Sequence, residues 1–404
     1  MKSILALSLI TLFFAACQRN EVSPSGPGTP LNLSSSRFGA ESSEFAFEWF
    51  RNVLVQEGGS ANVVASPLSL HIALGMALNG ADGQTAEELL AALRLKGYSP
   101  EQYNQIYREL TQGLPAVDPK VSLAIANSLW YRDGLAVEAP YVESLKSTFA
   151  AEVKPLTNDA GPVNAWVKNK TRGKIEKMYD RISPDIVLLL LNAVYFKGDW
   201  TKQFDEKQTS ERTWVYEDGR KKLHRVQMMS QEQRFRNAFT ENYAAVELPY
   251  GNGDYRMTLL LPSEGTQTTE FAKTFDAAAW TTLQQRLAEG KIRVNLPRFE
   301  FAYELKPNLN QTLQAMGIKT AFTSGADFSK IRGRRDLFIS EVKQKAYIKT
   351  DEKGSEAAAV TGIGFELTSV GPQVPVIDLN RAFLFFISEK NSNTVLFSGR
   401  VAEP

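Results

Sequence analysis

The 404-residue chain has a single cysteine, Cys17, and two histidines, His71 and His224. One cysteine excludes an intramolecular disulfide. Two histidines leave scant means for a hydrolytic triad, which needs an imidazole between nucleophile and carboxylate. His71 falls among Leu68, Leu70 and Ile72 in the apolar run after Ser66-Pro67, the place of a structural helix residue. His224 sits between Lys221-Lys222 and Arg225, as on a surface strand. There is no Gly-x-Ser-x-Gly elbow, no Gly-x-x-x-x-Gly-Lys phosphate loop and no metal-ligand spacing. Ser340-Glu341-Val342-Lys343 matches Ser-x-x-Lys, but the partner motifs of that chemistry are missing. A catalytic centre, a cofactor and a metal are therefore not expected; a cell-surface hydrolase would have to rest on the two histidines.

Excess charge of either sign is also missing. Lys and Arg number 46 against 45 Asp and Glu, a net charge of +1, which speaks against nucleic acid as a partner. Small basic clusters, Lys168, Lys170, Arg172 and Lys174, then Arg332, Arg334 and Arg335, read as solvated surface, with a polyanion site as the sharper alternative. Pro/Gly/Ser-rich linkers are absent between Phe45 and Phe397, so one large domain or two tightly fused lobes is expected.

The only long apolar run near the N-terminus, Ile4 to Phe14, follows Met1-Lys2 and ends Phe14-Ala15-Ala16-Cys17. It is too short to span a bilayer stably and has small residues at its end, as a signal peptide does. The end resembles the bacterial lipoprotein cleavage motif, with Phe14 where Leu is commoner. That resemblance implies a signal peptide over 1–16, an acylated Cys17 and an exported protein anchored at the cell surface or periplasm. Ordinary secretion with an incidental cysteine is the alternative. Residues 18–36, rich in Ser, Pro and Gly, cannot bury much apolar surface and read with Cys17 as a flexible tether over 17–37.

From residue 38 to 404 the pattern is that of one domain. Phe45, Trp49, Phe50 and Val53 predict a helix over Glu41–Leu54. Ser66-Pro67 before Leu68–Leu78 is a helix cap, closed by Asn79-Gly80, and Thr85-Ala86-Glu87-Glu88 has capping-box spacing. Val187–Phe196 reads as a strand covered on both faces. Val246–Pro249 and Met257–Leu261 flank the turn Gly251-Asn252-Gly253-Asp254. Ile292, Val294 and Leu296 alternate with polar residues, and Ala382–Ile387 and Thr394–Val401 close the chain as strands. Helices early and strands late predict an α+β fold.

The unusual segment runs from Asp351 to Val370. Read with period two, one face is Ser355, Ala357, Ala359, Thr361, Ile363, Phe365 and Leu367; the other is Glu356, Ala358, Val360, Gly362, Gly364, Glu366 and Thr368. The pattern is a strand's, yet the alanines and the glycines Gly354, Gly362 and Gly364 are poor residues for a settled one. Such a segment can enter a sheet without being locked into it.

Asp351-Glu352-Lys353-Gly354-Ser355-Glu356-Ala357-Ala358-Ala359 resembles the reactive-loop hinge of inhibitory serpins. Asn62 to Ser69 is similar to the family's shutter segment, Leu191 to Trp200 to its breach strand, and Glu247-Leu248-Pro249-Tyr250, Leu296-Pro297-Arg298-Phe299, Asn380-Arg381-Ala382-Phe383 and Phe397 to Val401 to further family blocks. The similarity covers about residue 38 to the end. It implies the serpin fold: helices, smaller sheets, and a large central sheet that accepts a loop at about 352–371 as an extra strand. It further implies a suicide substrate for a serine protease, cysteine proteases being within the family's reach. The protease is trapped as a covalent acyl-enzyme by a monomeric inhibitor.

By the same resemblance the hinge comprises Glu352, Gly354, Ser355, Glu356, Ala357, Ala358, Ala359 and Thr361, and the shutter and breach Ser66, Ser69, Asn192, Trp200 and Gln344. Counting from the hinge places the reactive bond at Thr368-Ser369, within a window of Phe365, Glu366, Leu367 and Val370, extending to Gly371 for shorter loops. Two departures stand out: Gln344 where a shutter His is common, implying an amide bond to Ser66 or Asn192, and Ala382 in place of a Pro. No Lys or Arg lies between Lys353 and Arg381, so elastase-, subtilisin- or chymotrypsin-like pockets suit the loop and a trypsin-like one does not. A non-inhibitory serpin acting as a binding or carrier module is the alternative; such members tend to carry bulky, charged or proline residues in the hinge.

Overall fold

The computed structural model describes residues 28–59, 61–217, 225–305, 309–355 and 374–404. Among them no helix is long and apolar enough to cross a membrane. Cys17, His224, Glu356–Thr361 and the reactive-bond window Phe365–Val370 lie outside the described residues.

The first helix is longer than its apolar stripe predicts, Phe38–Glu57, and buries Phe45, Trp49, Phe50 and Val53. The second, Pro67–Gly80, starts where the cap predicts: the Ser66 hydroxyl accepts from the Ser69 N–H. It is buried almost all round, and so forms the floor on which the sheets rest. The third, Gly83–Ala92, begins at Gly83, not at a Thr85 cap. Thr85 lies buried inside that helix, where its hydroxyl accepts from the Asp327 N–H. Helix Pro100–Gly113 carries a full capping box, Ser99 with Gln102.

A nine-stranded sheet runs Val63–Ala65, Val395–Val401, Phe383–Glu389, Tyr255–Pro262, Tyr243–Tyr250, Val226–Phe239, Ala288–Pro297 and Val376–Asp378, with Ser210–Arg212 on the edge of Val226–Phe239. The expected hairpin and closing strands are all in it. A four-stranded sheet orders Gly354–Ser355, Leu188–Asp199, Val121–Tyr131 and Glu152–Pro155; Phe299–Glu304 and Lys345–Thr350 form a separate pair. The architecture is α+β, as expected, and it is the four-stranded sheet, not the largest one, that receives the root of the loop.

Residues 28–37, read from the sequence as the end of a tether, are packed. From Gly28 the chain lies on the body: Leu31 is buried in the main core, and the Ser34 N–H donates to Glu109 at 2.7 Å.

Candidate functional site

At the upper end of the four-stranded sheet the chain leaves Lys345–Thr350, turns through Asp351–Gly354, where the Asp351 N–H donates to the Gly354 carbonyl at 2.9 Å, and reverses direction. Gly354 and Ser355 then pair antiparallel with Asp199 and Gly198 of the strand Leu188–Asp199. The hinge thus forms the first two residues of a strand running down beside Leu188–Asp199. Gly354 is demanded sterically: a Cβ there would meet the Gly198 carbonyl oxygen at 2.2 Å and the Asp199 Cα at 2.6 Å. The Ser355 hydroxyl is buried 2.7 Å from the Tyr250 hydroxyl, and Tyr250 stacks on Trp200 at 4.4 Å. Trp200 holds the turn from the other side, its indole N–H donating to the Asp351 carbonyl at 2.9 Å and its backbone N–H to the Lys353 carbonyl at 2.7 Å.

Below Ser355 no described residue pairs with the open edge of Leu188–Asp199, nor with the facing edge of Lys345–Thr350. Burial along Leu188–Asp199 records this. Leu189, Leu191 and Ala193 are buried in a core shared with Trp166 and Val167 of the helix Gly161–Lys170, and Tyr195 on the same face is also buried, whereas Leu188, Leu190, Val194 and Phe196, on the other face, are only partly buried. The expectation of a strand covered on both faces is corrected accordingly. A cavity of ≈ 270 Å³ lies between the lower part of this strand, the floor helix and residues 336–344, with Leu70, Leu74, Leu190 and Ile339 in its walls.

At mid-height two strands and the floor helix are joined by amides. Gln344 exchanges two hydrogen bonds with the Ser66 backbone, Oε1 accepting from N–H at 3.0 Å and Nε2 donating to the carbonyl at 2.8 Å. The Ser66 hydroxyl donates to the Leu396 carbonyl at 2.7 Å. Of the two partners expected for Gln344, the structure selects Ser66. Asn192 instead donates to Asn127 Oδ1 at 2.6 Å, and its own Oδ1 is buried with no partner.

The latch on the turn is ionic. The buried Glu352 carboxylate accepts from Arg298 Nε at 2.8 Å through both oxygens and from the Thr209 hydroxyl, and lies 2.6 Å from Arg298 Nη2. Burial pushes this carboxyl up, but the Arg298 and Thr209 bonds outweigh it and hold the group below the usual range. Its folded value being depressed, the latch stabilises fully above the unfolded carboxyl range, about 4.3, and is lost as pH falls through the folded value. Arg298→Ala is expected to cost about 1.5–2 kcal/mol in denaturant unfolding at pH 7, because Arg298 is half open to water. It should also flatten the stability profile below about pH 4.

Neither His71 nor the first basic cluster competes with this region as a site. His71 Nδ1 lies 3.1 Å from the Tyr107 hydroxyl and Nε2 3.1 Å from the Leu93 carbonyl, with Phe38 and Phe45 edge-on. Burial pushes the imidazole down to about 4, so it is a neutral core residue at pH 7. The first basic cluster is engaged: Lys168 with Glu176, Lys170 with Glu152, Arg172 on the Tyr195 ring and Lys174 on the Tyr347 ring. No group of acids and histidines among the described residues could hold a metal.

Of the residues read from sequence, Glu352, Gly354, Ser355 and Trp200 come together at the turn, and Ser66, Ser69, Asn192 and Gln344 around the cavity. Thr209 and Asn127 carry no sequence signal, and Tyr250 figures only as part of a family block; nothing local in their sequence shows that they reach residues 65 to 143 positions away. The family description "Serpin (serine protease inhibitor)" matches residues 40–404. The chain belongs to the serpin family. As such it is a protease inhibitor and not an enzyme. Iripin-2 of Ixodes ricinus is 36% identical, over 85% of this chain and 88% of its own. Intracellular coagulation inhibitor 2 of Tachypleus tridentatus is 34% identical over 87% of each. Among solved serpins, tengpin, a thermophilic member, superposes in its native state with a TM-score of 0.84 at 29% identity, covering 94% of this chain and 97% of its own. Its latent state gives 0.78, at 27% identity.

Proposed function

We propose that this serpin acts as a suicide substrate, and that the observation carrying the reading is the reversed hinge: a strand two residues long already started beside an unpaired edge. A protease attacks the loop near Thr368-Ser369, the acyl-enzyme forms, and the freed loop continues the strand that Gly354 and Ser355 begin, dragging the protease across the body. Distortion of the trapped protease leaves its deacylation machinery misaligned. The better match to native than to latent tengpin supports a resting state with the loop not yet inserted.

Continuing the hinge register down Leu188–Asp199 gives the mechanism its detail. Ala357 falls opposite Phe196, Ala359 opposite Val194, Thr361 opposite Asn192, Ile363 opposite Leu190 and Phe365 opposite Leu188. These are the half-covered residues of the strand, and the loop face that meets them is the small-to-apolar one. Thr361 brings a hydroxyl to the unpartnered Asn192 Oδ1. On the other face Gly362 and Gly364 fall opposite Leu191 and Leu189, beneath Trp166 and its neighbours, where a side chain has little room. Gly364→Leu should therefore leave loop cleavage intact while raising the fraction of cleaved, untrapped inhibitor, read from gel band ratios. An unchanged ratio would contradict the register.

The target is elastase-, subtilisin- or chymotrypsin-like, since Phe365, Leu367 and Thr368 offer no cation to an acidic pocket. Incubation with one protease of each class and with trypsin should give an SDS-stable complex with at least one of the former and none with trypsin. Turnover of the loop as plain substrate by every protease tried would favour the carrier-module reading. Small side chains through the hinge, Ala357, Ala358 and Ala359, support trapping over that alternative. Cys17 is acylated in this reading, and the inhibitor works as a monomer anchored at a membrane after export.

A further inference from the structure

Residues 28–37 form a strap whose direction decides where the N-terminal side of the chain leaves the body. The strap runs antiparallel to the helix Pro100–Gly113. Arg37 lies 4.1 Å over the Tyr98 ring near the helix start, the Ser34 N–H donates to Glu109, Leu31 packs on Gly113, and the Thr29 N–H donates to the Ala116 carbonyl at 3.0 Å. Gly28 ends against Val117, so closely that an added Cβ would come within 1.7 Å of the Val117 carbonyl oxygen. Val117 is four residues before Val121; Val121 pairs with Gly198, and Gly198 with Ser355. Two strand spacings of about 4.8 Å and four residues of about 3.4 Å put Gly28 within about 25 Å of the root of the loop. The N-terminal side therefore leaves at the reactive pole, not at the far end of the sheet.

We propose that the strap turns the reactive pole toward the membrane, so that the target is a protease bound to the same membrane. This rests on the acylated Cys17 of the proposed function. Ten residues lie between Cys17 and Gly28, and the eleven Cα steps they make reach at most about 38 Å fully extended. A protease of about 240 residues has a radius of gyration near 18 Å and is about 45 Å across. The segment from Cys17 to Gly28 spans about 18 Å as a coil, so with the roughly 25 Å from Gly28 to the loop the pole lies about 45 Å or less from the lipid, no further than the width of the protease that must dock on it. A soluble protease is crowded out; one seated on the membrane meets the loop directly.

The mature chain, residues 17–404, can be coupled to liposomes through a maleimide lipid at Cys17, its only thiol, so that natural acylation is not needed. The measurement is the rate of loop cleavage by a soluble elastase-like protease, which reads access to the loop whether or not trapping follows. Cleavage is expected to be severalfold slower on liposomes than free. A Gly/Ser insert of about twenty residues after Asn20 should restore it. Leu31→Asp, which frees the strap and lengthens the reach, should also restore it, with neither change altering the rate of the uncoupled protein. Equal rates for coupled and free chain would overturn the proposal, as would a slow coupled rate that neither change relieves. Failure of trapping with the rate pattern intact would instead count against the inhibitory reading alone.

Discussion

Ser355→Arg is expected to convert the inhibitor into a substrate: the loop is cut at the wild-type rate, and the SDS-stable complex disappears. Ser355 is the residue after the turn, buried opposite Gly198 with its hydroxyl on Tyr250. It is the first side chain of the strand that lengthens on insertion, already seated in the sheet, and the site is shaped for a hydroxymethyl group. Phe196, Ile387 and Phe397 line the space beneath it. A guanidinium there would be buried among aromatic and aliphatic side chains, at a cost of several kcal/mol. Insertion and deacylation compete for the same acyl-enzyme, and about 2.7 kcal/mol added to the insertion barrier slows it roughly 100-fold. Deacylation then wins. Unchanged trapping by Ser355→Arg would mean that the hinge does not enter the sheet at this point.

The second large effect is on stability: the cleaved inhibitor should unfold about 10 °C above the intact one. Insertion covers the half-buried face of Leu188–Asp199, that is Leu188, Leu190, Val194 and Phe196, and buries Ile363 and Phe365 against it. At about 1.5–3 kcal/mol for complete burial of each side chain, roughly half of it already realised on the strand, the gain is about 6–12 kcal/mol. New backbone hydrogen bonds and the entropy of ordering the loop are of similar size and opposite sign. For a domain of this length each kcal/mol is worth a little over 1 °C. Differential scanning calorimetry before and after limited proteolysis of the loop measures it; an unchanged or lower midpoint would show that the cut loop stays outside.

The hinge was legible in the sequence because its signal is local: side-chain size, period two, and glycine where the backbone of Gly198 and Asp199 passes within contact distance. The Ser66 cap and the hairpin at 251–254 were legible for the same reason. The unpaired edge was not. An apolar run such as Val187–Phe196 has the same composition whether both neighbouring strands are in place or one is missing below the hinge. The latch was half visible. Glu352 stood in the hinge motif, but Arg298 and Thr209 lie 54 and 143 residues away and meet it only through the fold. Helix Pro100–Gly113 went unread despite its Ser99–Gln102 capping box. The strap was hidden by composition: Leu31 and Leu33 sit within a stretch whose Ser, Pro and Gly read as tether, and only the groove beside Gly113 gives Leu31 somewhere to be buried.

Trapping rests on one covalent event, which mass spectrometry of the inhibitor–protease complex reads. The protease's catalytic serine is expected to be ester-linked to Thr368, or to a residue between Phe365 and Val370, with the C-terminal fragment beginning at the following residue, Ser369 in the first case. Cleavage outside that window, or a mixture containing only cleaved inhibitor and free protease with no linked species, would contradict it.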